Sequence, residues 1–600
     1  MPGRTTLPVL LFTFFISIGS NAAIIMPYIL NDNMVVQRGV DLPIWGLAEP
    51  GEEVTVEFNG QKVKTFADDK EGRWRLSLKP MEASSKPQQM RISAAKASFK
   101  IENVLIGDVW IYGIQTSFGG NIRKPEPEVI ELPKEITGAK DENRPKENEV
   151  PVKEVKILDP LVRIFDVKRT IAKTSQNLVS GTWMNFDTDN CSRFPEIAYG
   201  FACRVKTGQD VPVGILNVSW NSSATESWIK DGTLRKNPDY AQIFPYWSSA
   251  IQNFANNKTR WENEVKQWEK IKDSRPKNPP RKPEFPDGPD SQRQPSVLYY
   301  GMLTQVIPFK PKGVIWCQSD KIYAKPFSKC FTLLLKELVN DLREDFESPE
   351  LPFVLIQYPV YGKRQELPAE AATSFGPFIR EAQVSAADMK FLAVVSPLNL
   401  IGETWQSAAA DRIYSGAIAA AYDQKPFSPG PVFKSVSIDK NKATITFDNA
   451  EGGLKALYVE HFEGNKGDLE GQTVRITEKQ KLVDGNYATE RTIAVDPAST
   501  AKVVKVAVKK TEEKLKNGES SFKEDSWLTI ENPVSATGFA IAEDKAPFKW
   551  ANTAIEGNTV TVWNDEVKKP KAVRYGWANN PIGNLHGKDG IPANCFRTDK

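Results

Sequence analysis

Two rhythms of hydrophobic and polar residues divide the chain. From Glu53 to Leu78 the period is two: Val54, Val56 and Phe58 alternate with Thr55 and Glu57, and Trp74, Leu76 and Leu78 repeat the pattern. Alternation of this kind marks strands with one buried face, and the intervening Asn59-Gly60 favours a tight hairpin turn. The pattern predicts a small N-terminal β-domain over residues 24–100. From Ile101 the strands change character and become short continuous apolar runs: Val104 to Trp110, Val213 to Val218, Gly313 to Trp316, Pro352 to Gln357 and Phe391 to Val395. Such runs fit strands buried on both faces, and stretches of helical period such as Phe331 to Leu342 lie between them. Alternating buried strands and helices predict an α/β domain with a parallel sheet over residues 101–428.

Two insertions interrupt this domain. Residues 124–155 are rich in Pro, Glu and Lys and read as a surface loop. Residues 251–296 open with Trp261, Val265 and Trp268 at helical spacing and continue into a Pro/Lys-rich stretch. That order predicts an amphipathic helix with an extended return arm, the tryptophans packing the helix down. Beyond residue 428 the period returns to two, with Ala443, Ile445 and Phe447 alternating with threonines and Thr559 to Trp563 following the turn-prone Gly557-Asn558. Residues 429–600 are therefore expected to form a C-terminal β-rich domain, with a charged, loosely specified middle around Lys502 to Lys523.

Composition narrows the partners. The 600 residues hold 78 basic and 75 acidic side chains, a formal net charge of +3, which argues against nucleic acid as a partner. No Gly-Lys-Ser/Thr phosphate loop and no zinc-spaced His/Cys cluster is present, so no cofactor and no metal site is expected. At the N-terminus, Arg4, the apolar stretch Leu7 to Ile18 and the small-residue run Ser20-Asn21-Ala22 have the order of a cleavable leader. Residues 1–23 are read as a signal peptide, which implies an exported protein, periplasmic or extracellular, without an integral membrane span once the leader is removed. The five cysteines are dispersed and odd in number. They read as buried free thiols, with Cys191–Cys203 the one pair close enough in sequence to suggest a bridge.

Several segments together resemble the sialate O-acetylesterase family, whose central domain is an SGNH-type α/β hydrolase. Pro27 to Gly39 with Ile44-Trp45-Gly46 looks like the family's opening signature, and Val104 to Trp110 like the strand leading to its nucleophile. Pro212 to Ile215 with Ser219-Trp220, Leu298-Tyr299 with Gly301-Met302, and Gly313 to Trp316 match further blocks, as do Arg380 to Gln383 and the closing Val573 to Trp577 and Phe596 to Asp599. The blocks run in family order over nearly the whole chain after the leader. The resemblance implies an O-acetylated glycan or other carbohydrate as partner, and it locates the catalytic positions.

Those positions have changed. The family's Gly-Gln-Ser-Asn-Met is here Ile114-Gln115-Thr116-Ser117-Phe118, with a threonine at the nucleophile position, Gln115 beside it and Ser117 the fallback hydroxyl if the register slips. Threonine's extra methyl restricts χ1, and Ile114 cannot readily take a positive φ, so the turn is expected to be reshaped. Where the family has Gly-Gly-Thr, this chain has Asn221-Ser222-Ser223, leaving Asn221 as the candidate oxyanion donor. Trp-Tyr-Gln-Gly-Glu-Ser becomes Trp316-Cys317-Gln318-Ser319-Asp320-Lys321, which retains Gln318 and offers Asp320 as a shorter acid. The family's Asp-x-His-Pro corresponds to the stretch Asn399 to Ser407, which contains Glu403 but no histidine. His461 and His586 are the chain's two histidines, and both are expected in surface or loop roles. Trp220, Trp316, Trp405 and Tyr300 fall near strand ends, where aromatic faces suit sugars.

Ester hydrolysis of the Ser–His kind needs a hydroxyl, a base and oxyanion donors together, and losing one member of such a set costs orders of magnitude. The expectation is a catalytically impaired esterase-like protein that binds glycan or acts as a scaffold. The alternatives are an active carbohydrate O-acetylesterase using Thr116, with Glu403 as the nearest acid to serve as base, and a structural envelope protein.

Overall fold

The structure is a computed structural model that describes residues 24–116, 118–123, 157–175, 180–272, 282–318, 330–361, 365–368, 375–398, 400, 405–422, 428–456, 458–463, 474–483, 486–495, 503–514, 520–531 and 535–599, with only the backbone described between 458 and 531. The leader, Ser117, the insertion 124–155, Asp320 and Glu403 lie outside these residues.

The N-terminal strands are β1 (Val35–Gln37), β2 (Leu42–Leu47), β3 (Glu53–Phe58), β4 (Gln61–Phe66), β5 (Arg73–Leu78) and β6 (Ser84–Ser93); the central ones are β7 (Ser98–Ile114), β8 (Ile157–Val167), β9 (Gly181–Asp187), β10 (Val213–Asn217), β11 (Gly313–Cys317), β12 (Phe353–Ile356) and β13 (Leu392–Val395). The helices are α1 (Glu196–Gln209), α2 (Asp231–Lys236), α3 (Ile243–Gln252), α4 (Phe254–Ile271), α5 (Val297–Gly301), α6 (Phe331–Asp345), α7 (Gly376–Val384) and α8 (Trp405–Ala421).

The central sheet has the order β13-β12-β11-β7-β10-β8-β9. All its neighbours pair in parallel except the edge strand β9, which runs antiparallel to β8. The apolar runs are its strands, buried on both faces. In β7, Val109 and Ile111 join one core while Trp110 and Tyr112 join the other. Helices α1 and α8 cover the second core, and α6, α7 and the N-terminal β-unit cover the first. The mixed sheet with parallel strands and helices on both faces is that of an α/β hydrolase-like domain.

Strands β8 and β9 do not stand out in the hydrophobic pattern, because Arg163 and Asp166 break the apolar run of β8. Arg163 is nonetheless 2% exposed. Its guanidinium donates to the Asn103 carbonyl and to Asn103 Oδ1 at 2.9 Å, and burial lowers its pKa to about 10.

At Asn59-Gly60 the hairpin forms as read, both residues with positive φ and Phe58 paired with Gln61. The N-terminal unit is continuous with the centre, however. Strand β7 crosses position 100, pairing with β1 and β6 before entering the central sheet. One ion pair fixes this crossing. Arg38 reaches Asp108 through Nε at 2.9 Å and Nη2 at 3.0 Å, and the Tyr422 hydroxyl after α8 donates to the same carboxylate at 2.8 Å. Two signature blocks, Gln37-Arg38 and Gly107-Asp108, thus meet as scaffold.

Within the second insertion, Trp261 Nε1 donates to the Pro283 carbonyl at 3.1 Å and its ring meets Phe285 at 4.9 Å, so the tryptophan holds the return arm onto α4. The C-terminal region contains two four-stranded sheets, one from Val432–Asp439, Lys442–Asp448, Thr559–Trp563 and Asn552–Glu556, the other from Lys549–Trp550, Phe539–Ala542, Ala572–Tyr575 and Phe596–Arg597. Ile445, Phe447, Val560, Phe539 and Phe596 share their core. Within the charged middle, the described residues Val503–Lys514 pair antiparallel with Ser520–Glu531, with register shifts between Ala507 and Lys510.

The closing block returns to the hydrolase unit. Buried Arg380 donates to the Ala578 carbonyl, Gln357 Nε2 to Asn594 Oδ1 at 2.9 Å, and Arg597 pairs with Glu381 at 3.3 Å. His586 corrects the expectation of a surface role: it is 2% exposed, in the strand Leu585–Gly587, with Nδ1 2.7 Å from the Asn584 carbonyl oxygen. Strand pairing with Lys455 and Pro592 turns its side chain inward, and burial lowers its pKa to about 4. His461 lies in Tyr458–Glu463, and its side chain is outside the description.

Candidate functional site

In parallel sheets, sites form where strands end and their loops diverge. Here β7 ends at Ile114, β10 at Asn217 and β11 at Cys317, and the three ends are tied together before any of them reaches solvent. Gly113 permits the closest approach: a Cβ there would lie 2.3 Å from the ring of Trp316. Gln115 is fully buried, its Oε1 accepting from the Trp220 N–H at 2.8 Å and the Ser223 hydroxyl at 3.2 Å. Ser223 Oγ in turn accepts from the Trp228 indole at 2.8 Å. Gln318, also fully buried, donates to the Ser223 carbonyl at 3.1 Å and accepts from the Trp316 indole at 3.0 Å. Buried polar groups bonded in this way fix one loop conformation, because each loses its partner if the loop moves, although Gln115 Nε2 itself has no hydrogen-bond partner among the described residues.

Above this network opens a cleft of about 420 Å³, with Thr116, Phe118, Asn121, Asp166, Arg193 and Asn221 in its walls. Thr116 is half-buried. Its Oγ1 accepts from the Phe118 N–H at 3.2 Å and stands 3.9 Å from Cys317 Sγ. The Cys317 thiol is fully buried, and burial pushes its pKa up to about 12, so it stays protonated and serves neither as base nor as nucleophile. Asp166 accepts from Asn217 Nδ2 at 3.0 Å and pairs with Arg193 at 3.4 Å. Arg169, at the same cleft, donates through Nε to the Ser219 carbonyl at 3.3 Å. Among the described residues, no imidazole lines the cleft. Among the described residues no group of three or more His, Cys, Asp and Glu side chains could hold a metal ion.

No family model matches the chain. In sequence, 458 residues align at 22% identity with the human sialate O-acetylesterase, covering 70% of this chain and 75% of that protein. In structure, a carbohydrate acetylesterase from Xanthomonas citri superimposes with a TM-score of 0.62 at 20% identity, over 96% of this chain and 100% of that one. The chain is similar to the sialate O-acetylesterases. With that similarity, the segments that carried the resemblance can be sorted by what they do here.

Of the sequence-derived site residues, Thr116 and Asn221 reach the cleft. Gln115 and Gln318 do not; both are buried beneath it and hold the loops. Trp220 is half-buried, its backbone held by Gln115 and its ring packed on the first core. Trp405 opens α8 and packs its ring 5.2 Å from Phe118, so it supports a wall of the cleft. Trp316 is core, edge-on to Trp228 at 5.3 Å, and Tyr300 packs on the same core. Asp320 and Glu403 are outside the described residues.

The turn after β7 is also placed. Ile114 stays in the strand, paired with Cys317, its N–H donating to Ser219 Oγ at 3.0 Å. The positive φ falls on Ser222, at 64°, beside Asn221. An extended Ile114 suits a β-branched residue, so the replacement of glycine leaves no strain at that position. Missed by sequence reasoning were Asp166, Arg169, Arg193, Asn121 and Asn217. Recognising β8 would have pointed to Asp166 and Arg169 at its carboxyl end; nothing in the local sequence marks Arg193 or Asn121. All five cysteines are free, Cys191 and Cys203 included. Among the described residues, no helix is long and apolar enough to cross a membrane.

Proposed function

We propose that the chain is an exported carbohydrate-binding protein on an esterase fold that no longer performs Ser–His ester hydrolysis. The observation that carries this is the state of Thr116: its hydroxyl is held by a backbone N–H and a protonated thiol, in a cleft whose described residues include no imidazole. An unactivated threonine hydroxyl is a poor nucleophile at neutral pH. Binding is supported by what the cleft presents: guanidiniums at Arg169 and Arg193, amides at Asn121, Asn217 and Asn221, the Asp166 carboxylate and the ring of Phe118. That mixture of planar donors, acceptors and one aromatic face suits sugar hydroxyls and an acyl or N-acetyl group. Export rests on the leader read in residues 1–23.

The test is hydrolysis of 4-nitrophenyl acetate and of a 9-O-acetylated sialoside, with the native chain and Thr116→Ala side by side. The expected result is no turnover above buffer in either protein, with thermal stabilisation by an O-acetylated sugar that Arg193→Gln removes. Turnover that vanishes in Thr116→Ala would establish the alternative, an O-acetylesterase working through Thr116.

A further inference from the structure

A second cavity borders the cleft across a single turn. Asn221 stands in the cleft wall, and the next residue, Ser222, lines a cavity of about 490 Å³, within the range of ligand pockets. Consecutive Cα atoms lie about 3.8 Å apart, so the turn is a thin partition between the two spaces. The Ser222 hydroxyl donates back to Asn221 Oδ1 at 3.4 Å across it. The other walls come from the second insertion: Phe254 and Lys258, one turn apart on the same face of α4, and residues of the return arm between Glu284 and Arg293.

The arm contains neither helix nor strand, yet it is pinned. Asp287 accepts from Ser291 Oγ at 2.9 Å, from Arg293 Nε at 2.8 Å and from the Tyr246 hydroxyl of α3 at 3.2 Å. Buried Gln294 donates to the Gly288 carbonyl at 3.2 Å. Gly288 lies against the Phe254 ring, where a Cβ would come within 2.2 Å, so only glycine lets the arm close on α4. Bonds of this kind fix a segment that has no ladder to hold it. The segment so fixed presents Phe285 to the cavity, 51% exposed. Beside it, Lys258 has no ion pair and the Gln292 side chain no hydrogen bond among the described residues.

These features define a ligand. A phenyl ring held in place takes the apolar C–H face of a sugar, and unpaired amide and ammonium groups at its edge take hydroxyls. Because the arm is already ordered, a ligand does not have to supply that ordering. We infer that the cavity is a second sugar subsite of the cleft, so that the ligand is an oligosaccharide, with one ring in the cleft and the next beyond Ser222 on Phe285. The inference rests on carbohydrate binding by the cleft, as proposed above.

The test is calorimetric titration of the intact chain with two sialosides in which a 9-acetamido group replaces the 9-O-acetyl ester, an amide that ester hydrolysis does not consume. One is the methyl glycoside, a single ring; the other is the 3′-sialyllactose trisaccharide. The native chain is expected to bind the trisaccharide at least tenfold tighter than the single ring. Phe285→Ala should bring the trisaccharide down to the affinity of the single ring and leave the single ring unchanged. Gln292→Ala removes a side chain that has no partner to lose. It should weaken the trisaccharide at least threefold at a native unfolding midpoint, which separates loss of the subsite from loosening of the arm. Arg193→Gln, in the cleft, should weaken both probes. The subsite alone is overturned by equal native affinities, by trisaccharide binding indifferent to Phe285→Ala or to Gln292→Ala, or by a loss in Phe285→Ala that the single ring shares. Binding of neither probe, or binding indifferent to Arg193→Gln, overturns the reading of the cleft and the subsite with it.

Discussion

Beneath the strand ends and above them, the same fold follows two different rules. Below, Gln115, Ser223, Trp228, Gln318 and Trp316 form a chain of hydrogen bonds in which each named contact is between buried groups. Deeper still, Asp108 collects the adjacent Gln37 and Arg38 and the distant Tyr422 from two parts of the chain. Above, within the volume of a single cleft, the positions that the resemblance assigns to ester chemistry hold Thr116 and Asn221, and no imidazole is among the described residues of the cleft wall. The contrast shows that a motif such as Gly-Gln-Ser carries two demands. The glutamine is buried and holds the loop, while the neighbouring hydroxyl position faces the cleft. Resemblance read from the lower layer therefore reports the fold, and only the upper layer reports the chemistry.

Predictions that would break this division begin in the lower layer. Asp108→Ala should cost about 4 kcal/mol, because it strands the Arg38 guanidinium and the Tyr422 hydroxyl without a partner. Urea denaturation of the variant checks this, and a loss below about 1 kcal/mol would mean that the signature pair is not structural. His586 gives the next effect, and its sign follows from its burial. The unfolded chain takes up a proton near pH 6.5, but the folded chain only near pH 4. The stability that goes with the neutral ring is therefore complete above about pH 6.5 and declines as pH falls toward 4, by about 3 kcal/mol. His586→Phe should flatten the difference in unfolding free energy between pH 7 and pH 4 by that amount. An identical pH slope in the two proteins would exclude the buried neutral histidine.

The division also explains what could be read from the sequence. Strands buried on both faces announce themselves as apolar runs, and the alternation at Val54 to Phe58 and Ala443 to Phe447 became half-buried strands as the period of two requires. The strand that escaped notice, Ile157–Val167, hides behind Arg163, a charge that is affordable only because Asn103 and Met34 carbonyls, distant in sequence, receive it. His586 was misplaced for the same reason: a loop-like Asn-Leu-His-Gly says nothing of the strands that pair with it. At the site, the resemblance identified Thr116 and Asn221, which do reach the cleft. It could not separate Gln115 and Gln318 from them, since side-chain direction after a strand depends on which neighbouring loop supplies the partner. Arg193 and Asp166 are 27 residues apart and meet only through the tertiary fold.

The smallest effects are the sharpest, because they compare adjacent residues on the two layers. Gln115→Ala removes the acceptor of the Trp220 N–H and the Ser223 hydroxyl and opens a buried gap, and it should cost about 2 kcal/mol. Amide hydrogen exchange at Trp220 to Ser223 should accelerate with it, since that loop loses its anchor. Thr116→Ala, one residue on, removes a hydroxyl whose partner N–H can turn to water in the open cleft. It should change stability by no more than about 0.5 kcal/mol and leave exchange in that loop unaltered. If Thr116→Ala proved as costly as Gln115→Ala, the threonine would belong to the scaffold, and its place at the cleft would report packing.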